Sequence, residues 1–152
     1  MTHNPVRISI LLADDDADDR LMAKDALAES RLSNPLFMVE DGEELLEYLQ
    51  YRGRWAGADH ARPGLILLDL NMPRMDGREA LAEIKKDPLL RRIPVIVLTT
   101  SKAEEDIIRT YDLGVSSFIT KPVTFDQLVE VMTGLGRYWL EIVELPDVDR
   151  AA

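Results

Sequence analysis

The chain contains no cysteine, so it has neither a disulfide framework nor a metal site built on thiolates. No apolar run approaches the ~20 residues that a membrane-spanning helix needs, and we therefore predict no membrane span. The first residues lack the basic and apolar regions of a secretory signal, which predicts a cytoplasmic protein.

Positive charge is also scarce. The 18 Lys and Arg residues stand against 28 Asp and Glu residues, giving a formal net charge of −10. Proteins bind nucleic acid mainly through cations that neutralise phosphates, so this balance predicts no nucleic-acid partner. The 152 residues are 46% hydrophobic, which suits one ordinary domain. We expect a single domain over residues 1–152, with its core at about 6–136 and a C-terminal extension over 137–152.

Short apolar runs alternate with segments of helical periodicity along the chain. The predicted strands cover residues 6–12, 36–39, 65–69, 95–98 and 117–120. A helix is predicted after each strand, and in the first of them we place Leu21, Met22, Ala26 and Leu27 facing the core. This alternation predicts an α/β fold, a doubly wound parallel sheet of five strands flanked by five helices.

Carboxylates follow two of the predicted strands. Asp14, Asp15 and Asp16 come directly after the first strand, and Asp69 ends the third. In a doubly wound sheet, the functional site lies beyond the carboxyl ends of the strands. Carboxylates gathered there repel one another unless a cation offsets the repulsion, and Mg²⁺ prefers oxygen ligands. We predict Asp15 and Asp69 as direct Mg²⁺ ligands, Asp14 as a ligand through water, and Asp16 as a helix cap. Mn²⁺ or Ca²⁺ can substitute.

Two further polar residues end predicted strands, Thr99 on the fourth and Lys121 on the fifth. The Asp69 carboxylate can act as a nucleophile toward phosphorus, and a bound cation would lower its repulsion from an incoming phosphoryl group. The Thr99 hydroxyl and the Lys121 ammonium could then hold the transferred oxygens. The strand ends therefore predict phosphoryl chemistry.

In these segments the chain resembles the response-regulator receiver domain of two-component signalling, over residues 6 to 136. The order and spacing of the matching segments agree throughout; these are 11–15, 67–73, 75–77, 94–99 and 119–122. The resemblance implies the flavodoxin-like strand order 2-1-3-4-5. It also implies that Asp69 is the phosphoacceptor and that Asn71 supplies a backbone carbonyl to the metal.

The same resemblance implies a conformational switch. Thr99 and Lys121 correspond to the family's switch hydroxyl and ion-pairing lysine, and Phe118 to its switch aromatic. Ser101 and Asn71 stand at the positions that tune the lifetime of the acyl phosphate. Such a protein is not an enzyme beyond assisting its own phosphotransfer and autodephosphorylation.

A narrower likeness links the chain to small single-domain regulators paired with phytochrome-type sensor kinases. Its segments are 18–21, 45–49, the long loop before the third strand, 99–101, 104–107 and 138–146. It implies a sensor histidine kinase as partner, a bacteriophytochrome, and hence light signalling. We expect a stand-alone regulator whose output is a protein contact, because no DNA-binding segment follows residue 146.

The tail continues the helical spacing of the last helix with apolar residues, namely Tyr138, Trp139, Ile142 and Val143. A monomer that left these side chains exposed would gain no stability from them, because apolar area stabilises a protein when it is buried. One interpretation is a homodimer built on the last helix, the fourth helix and the fifth strand, and the other is a tail folded back on its own domain.

Two rival functions stay open at this point. A haloacid-dehalogenase-type phosphatase also uses an aspartyl nucleophile, but that family carries it at the end of the first strand, and Asp69 has no counterpart there. A receiver-like module that never accepts phosphate is the second rival. The presence of Asp14, Asp15, Asp69, Thr99 and Lys121 argues against it.

Overall fold

The computed structural model describes residues 9–30, 34–70, 72–99, 117–120 and 124–135, and for residue 99 and residues 117–120 it describes the backbone. These residues form a parallel sheet with helices on both faces. The strands are β1 (Ile10–Ala13), β2 (Leu36–Val39), β3 (Leu65–Asp69), β4 (Val95–Thr99) and β5 (Ser117–Thr120).

The strand order is β2-β1-β3-β4-β5, and all four neighbouring pairs are parallel. The predicted flavodoxin-like sheet is therefore confirmed. The strand bounds differ slightly at two points. Ser9 lies outside β1, whose described part continues instead to Ala13, and β4 extends one residue further, to Thr99.

The described helices are α1 (Ala17–Glu29), α2 (Gly42–Gln50), α3 (Gly77–Lys86) and α4 (Phe125–Leu135). Short 3₁₀ turns span Gly53–Trp55 and Leu90–Arg92. The helix predicted between the last two strands lies outside the described residues. No helix in the described ranges has the length and apolar character to cross a bilayer.

Aspartate side chains cap the first three helices. Asp16 accepts hydrogen bonds from the Asp18 and Asp19 backbone N–H groups at 2.8 and 3.2 Å, which confirms its predicted role. Asp41 and Asp76 do the same at the starts of α2 and α3. A carboxylate suits this position because it satisfies unpaired N–H groups and opposes the positive end of the helix dipole.

Apolar side chains fill both faces of the sheet, as the doubly wound architecture requires. The residues of β1 and β3 alternate between a cluster that includes α2 and α3 and a cluster that includes α1 and α4. Ala26 and Leu27 of α1 are buried as predicted. The prediction for Leu21 was wrong, because its side chain is 57% exposed and α1 buries Ala23 instead.

Candidate metal centre

Three aspartates converge beyond the carboxyl ends of β1 and β3. Asp14 and Asp15 directly follow β1, and Asp69 is the last residue of β3. Ala13 pairs with Leu68, so the next residues on the two strands, Asp14 and Asp69, are adjacent. One carboxylate oxygen from each of the three lies within 4.8 Å of the other two. The predicted convergence is confirmed.

The burial of these carboxylates makes their repulsion significant. Asp14 is 2% and Asp69 is 7% exposed, whereas Asp15 is exposed to solvent. Two unit charges 4 Å apart in a medium of effective dielectric constant ~20 repel by roughly 4 kcal/mol. A hard divalent cation offsets this repulsion, and carboxylate oxygens are the ligands it prefers. The donor set therefore fits Mg²⁺ or a similar ion, with Asp15 on the solvent side.

Hydrogen bonds fix the position of Asp14. Its Oδ1 accepts from the Asp16 N–H at 3.0 Å, and its own N–H donates to the Val39 carbonyl at 3.1 Å. The Arg20 guanidinium donates to the Asp14 carbonyl at 2.7 Å, and it also reaches the Glu40 carboxylate at 3.4 Å. These hydrogen bonds therefore hold Asp14 in position before a cation binds.

The backbone of Asp69 is packed against the start of α3. The Gly77 N–H donates to the Leu70 carbonyl at 2.9 Å and closes the base of the loop between β3 and α3. A Cβ at residue 77 would lie 2.5 Å from the Asp69 carbonyl oxygen and 2.8 Å from the Leu70 Cα. Only glycine allows this approach, so residue 77 helps to define where Asp69 lies.

An ion pair near this loop was not predicted from the sequence; it joins Asp41 to Arg74. Asp41 is 2% exposed, and its Oδ2 accepts from Arg74 Nε at 3.1 Å and Nη2 at 2.6 Å. Burial by itself raises the pKa of Asp41. The hydrogen bonds from the Glu44 N–H and from Arg74, together with the Arg74 and Arg54 charges, lower the pKa by more than burial raises it. The net pKa lies below its usual value of 3.8, so Asp41 is ionised. No pattern in the sequence signals this pair, because its partners are 33 residues apart.

Two other predicted site residues lie on described strands. Thr99 is the residue after Leu98, which pairs with Asp69, so its backbone lies at the same edge of the sheet. Phe118 lies on β5 opposite Val97. The remaining predicted site and dimer residues lie outside the described ranges; these are Asn71, Ser101, Lys121, Tyr138, Trp139, Ile142 and Val143.

A separate cavity of about 300 Å³ lies beside the β3–α3 loop. It is lined by Glu43, Leu46, Glu47, Arg52, Arg74, Met75 and Glu79. None of the three converging aspartates takes part in it. The metal centre is therefore identified by its donor atoms and their burial rather than by a deep pocket.

Comparison with known proteins decides the family. The model of the response regulator receiver domain matches residues 10–133. The chain belongs to this family of receiver domains. The match includes Asp14, Asp15 and Asp69, and it confirms the resemblance to receiver domains. Nothing in the comparisons supports the phosphatase alternative.

The relatives of this receiver include phytochrome regulators. It is 43% identical over 143 residues to the response regulator Rcp1 of Synechocystis sp., covering 94% of this chain and 95% of Rcp1. The crystal structure of the phosphorylated cyanobacterial phytochrome response regulator RcpA superposes with a TM-score of 0.85 at 45% identity, covering 93% of this receiver and 99% of RcpA. The crystal structure of the Mn²⁺-bound form of Rcp1 gives a TM-score of 0.82 at 42% identity, covering 91% of this receiver and 99% of the Rcp1 chain.

Proposed function

We propose that this receiver accepts a phosphoryl group on Asp69 from a phosphorylated histidine kinase, in a reaction that requires Mg²⁺. The convergence of Asp14, Asp15 and Asp69 within 4.8 Å, in a chain of the receiver family, carries the proposal. The existence of a Mn²⁺-bound form of the related Rcp1 supports a divalent cation as the cofactor.

In the transfer, an oxygen of the Asp69 carboxylate attacks the phosphorus of the kinase's phosphohistidine. The new O–P bond forms as the N–P bond breaks, and the imidazole leaves with its electron pair. Asp15, Asp69 and the Asn71 carbonyl would hold the cation directly and Asp14 through water. When bound, the cation neutralises charge on the transferred oxygens. Because the proposed transfer depends on the cation, we expect chelation of the metal to stop the reaction.

The acyl phosphate adds a charge of about −1.5 to −2 at the end of β3. Thr99, on the neighbouring strand, would donate its hydroxyl to the new oxygens, and Lys121 would pair with them. Phe118 would turn inward as Thr99 moves. This shifts an existing two-state equilibrium at the β4–β5 side of the sheet toward the form that contacts a partner.

The signal ends when water attacks the same phosphorus and regenerates the Asp69 carboxylate. By analogy with the family, the side chains of Asn71 and Ser101 would set the lifetime of the acyl phosphate. The receiver therefore assists its own dephosphorylation but turns over no external substrate.

The proposed donor is a phytochrome-type sensor kinase, which would place this receiver in light signalling in the cytoplasm. Its likeness to Rcp1 and to the phytochrome regulator RcpA supports this partner. Phosphotransfer profiling against the histidine kinases of the same genome tests it. We expect rapid, Mg²⁺-dependent transfer from a phytochrome-type kinase, and fast transfer from a different kinase would redirect the assignment.

A second assay separates the switch from a phosphatase. Acetyl phosphate with Mg²⁺ should label the protein once, whereas p-nitrophenyl phosphate should not be turned over. Labelling should vanish with EDTA and return when Mg²⁺ is added in excess. Sustained release of p-nitrophenol by the purified protein would overturn the switch assignment.

We further propose that the receiver is one domain over residues 1–152 and that its extension at 137–152 forms a homodimer through Tyr138, Trp139, Ile142 and Val143. The apolar spacing of these residues supports the proposal. Trp139→Ala should lower the dimer fraction in sedimentation velocity, because an indole carries much of the apolar area of such an interface. An unchanged fraction would favour a tail packed on its own domain.

A further inference from the structure

One short segment makes backbone hydrogen bonds to two parts of the chain that flank the metal centre, the residues after β1 and the loop after β3. This is the junction between β2 and α2, residues 39–42. The Val39 carbonyl accepts from the Asp14 N–H at 3.1 Å, and the Gly42 N–H donates to the Met75 carbonyl at 2.9 Å. The junction thus connects the residues after β1 with the loop that follows Asp69.

The side chain of Asp41 adds a stronger link to the same loop. Its Oδ2 accepts hydrogen bonds from two nitrogens of Arg74, Nε at 3.1 Å and Nη2 at 2.6 Å. Its Oδ1 caps α2 by accepting from the Glu44 N–H at 2.7 Å. Asp41 is almost wholly buried. A buried carboxylate without its cation is strongly unfavourable, so the loop is held at Arg74.

Arg74 also has an unusual backbone. Its φ of +64° lies in the left-handed region, which residues other than glycine, asparagine and aspartate seldom adopt. The ion pair can offset this strain, because the guanidinium reaches Asp41 from that conformation. The close contact of Gly42 with the Met75 carbonyl leaves no room for a Cβ, and the Gly42 N–H donates to that carbonyl, so the two segments are in direct contact.

We propose that the Asp41–Arg74 pair positions Asp69 for the cation and for phosphoryl transfer. The inference rests on the proposed function, and Arg74 is a positioning residue because it does not touch the metal centre. The loop is closed at its base by the Gly77 N–H on the Leu70 carbonyl, directly after Asp69. Fixing the loop at Arg74 and Met75 therefore fixes the peptide that carries Asp69.

The test compares three variants. Arg74→Gly removes the guanidinium and relieves the backbone strain. The double variant Asp41→Asn with Arg74→Gly also removes the buried charge, while asparagine keeps the cap of α2. Arg54→Ala is the matched control, because Arg54 lies 4.0 Å from the same carboxylate but belongs to the turn after α2 and is held by Glu47 at 2.7 Å.

Two quantities are measured on folded protein, with folding checked by circular dichroism. Mn²⁺ alone is titrated by electron paramagnetic resonance, and the rate of labelling by acetyl phosphate is followed across Mg²⁺ concentrations. We expect both Arg74 variants to bind Mn²⁺ roughly ten-fold more weakly, the size seen when an outer support of a metal ligand is lost. The Mg²⁺ concentration for half-maximal labelling should rise in parallel, and Arg54→Ala should match the wild type.

The outcomes are distinct. If the double variant is folded and binds Mn²⁺ as tightly as the wild type, the pair only stabilises the fold and the inference is wrong. The inference also fails if Arg54→Ala weakens binding equally. If the wild type itself binds Mn²⁺ but is never labelled, the proposed function fails, whereas normal wild-type labelling with unaffected Arg74 variants overturns only the positioning role.

Discussion

Asp69→Asn should abolish labelling of the protein by acetyl phosphate in the presence of Mg²⁺. The amide keeps the size of the side chain but is a far weaker nucleophile than a carboxylate, and it removes one negative ligand from the group of three. Mass spectrometry of the intact protein measures the fraction that carries a phosphoryl group. We expect full labelling of the wild type at saturating donor and none of the variant.

Asp76→Asn is the matched control for this experiment. Asp76 lies in the same loop and caps α3 by accepting from the Glu79 N–H at 2.9 Å, a bond that asparagine can also accept. This variant also replaces a carboxylate by an amide, seven positions further along the chain, and it should be labelled to the same extent as the wild type. Stoichiometric labelling of Asp69→Asn would show that another residue accepts the phosphoryl group.

Gly77→Ala should lower the free energy of unfolding by about 1–3 kcal/mol, the usual cost of forcing a group into a well-packed site. Its Cβ would meet the Asp69 carbonyl oxygen at 2.5 Å, and the neighbours are backbone atoms that cannot rotate away. Urea unfolding followed by circular dichroism measures the change. The displaced Asp69 should also be labelled more slowly.

Gly134→Ala provides the control, because a Cβ there would meet no atom within 4 Å among the described residues outside its own helix. Both glycines begin or occupy helices, so helix propensity alone would make both changes stabilising. Gly134→Ala should raise the free energy of unfolding by about 0.4–1 kcal/mol. If Gly77→Ala were stabilising by the same amount, the close approach of α3 to Asp69 would be contradicted.

The fold was predictable because most of the strands are short apolar runs that end at a polar residue or a turn. The metal centre was predictable for the same reason, since Asp14, Asp15 and Asp69 follow such runs directly. In a parallel sheet the carboxyl ends share one edge, so position along the chain translates into proximity. No tertiary detail is needed for that step.

Other features depend on contacts that a linear pattern does not contain. The orientation of α1 is one, because its apolar residues leave more than one face available and packing against α4 selects Ala23, Ala26 and Leu27 over Leu21. The Asp41–Arg74 pair is another, because its partners are 33 residues apart and meet only when α2 and the β3–α3 loop are both in place.

The strand order also determines when the site comes into being during synthesis. β1 lies between β2 and β3, and Ile10 pairs with both Leu36 and Leu65. A nascent chain that has released β1 and β2 can form one side of β1 but has no Asp69 to complete the acidic group. The growing polypeptide therefore carries all three carboxylates only after β3 has left the ribosome, and the proposed switch residues Thr99 and Lys121 emerge later still.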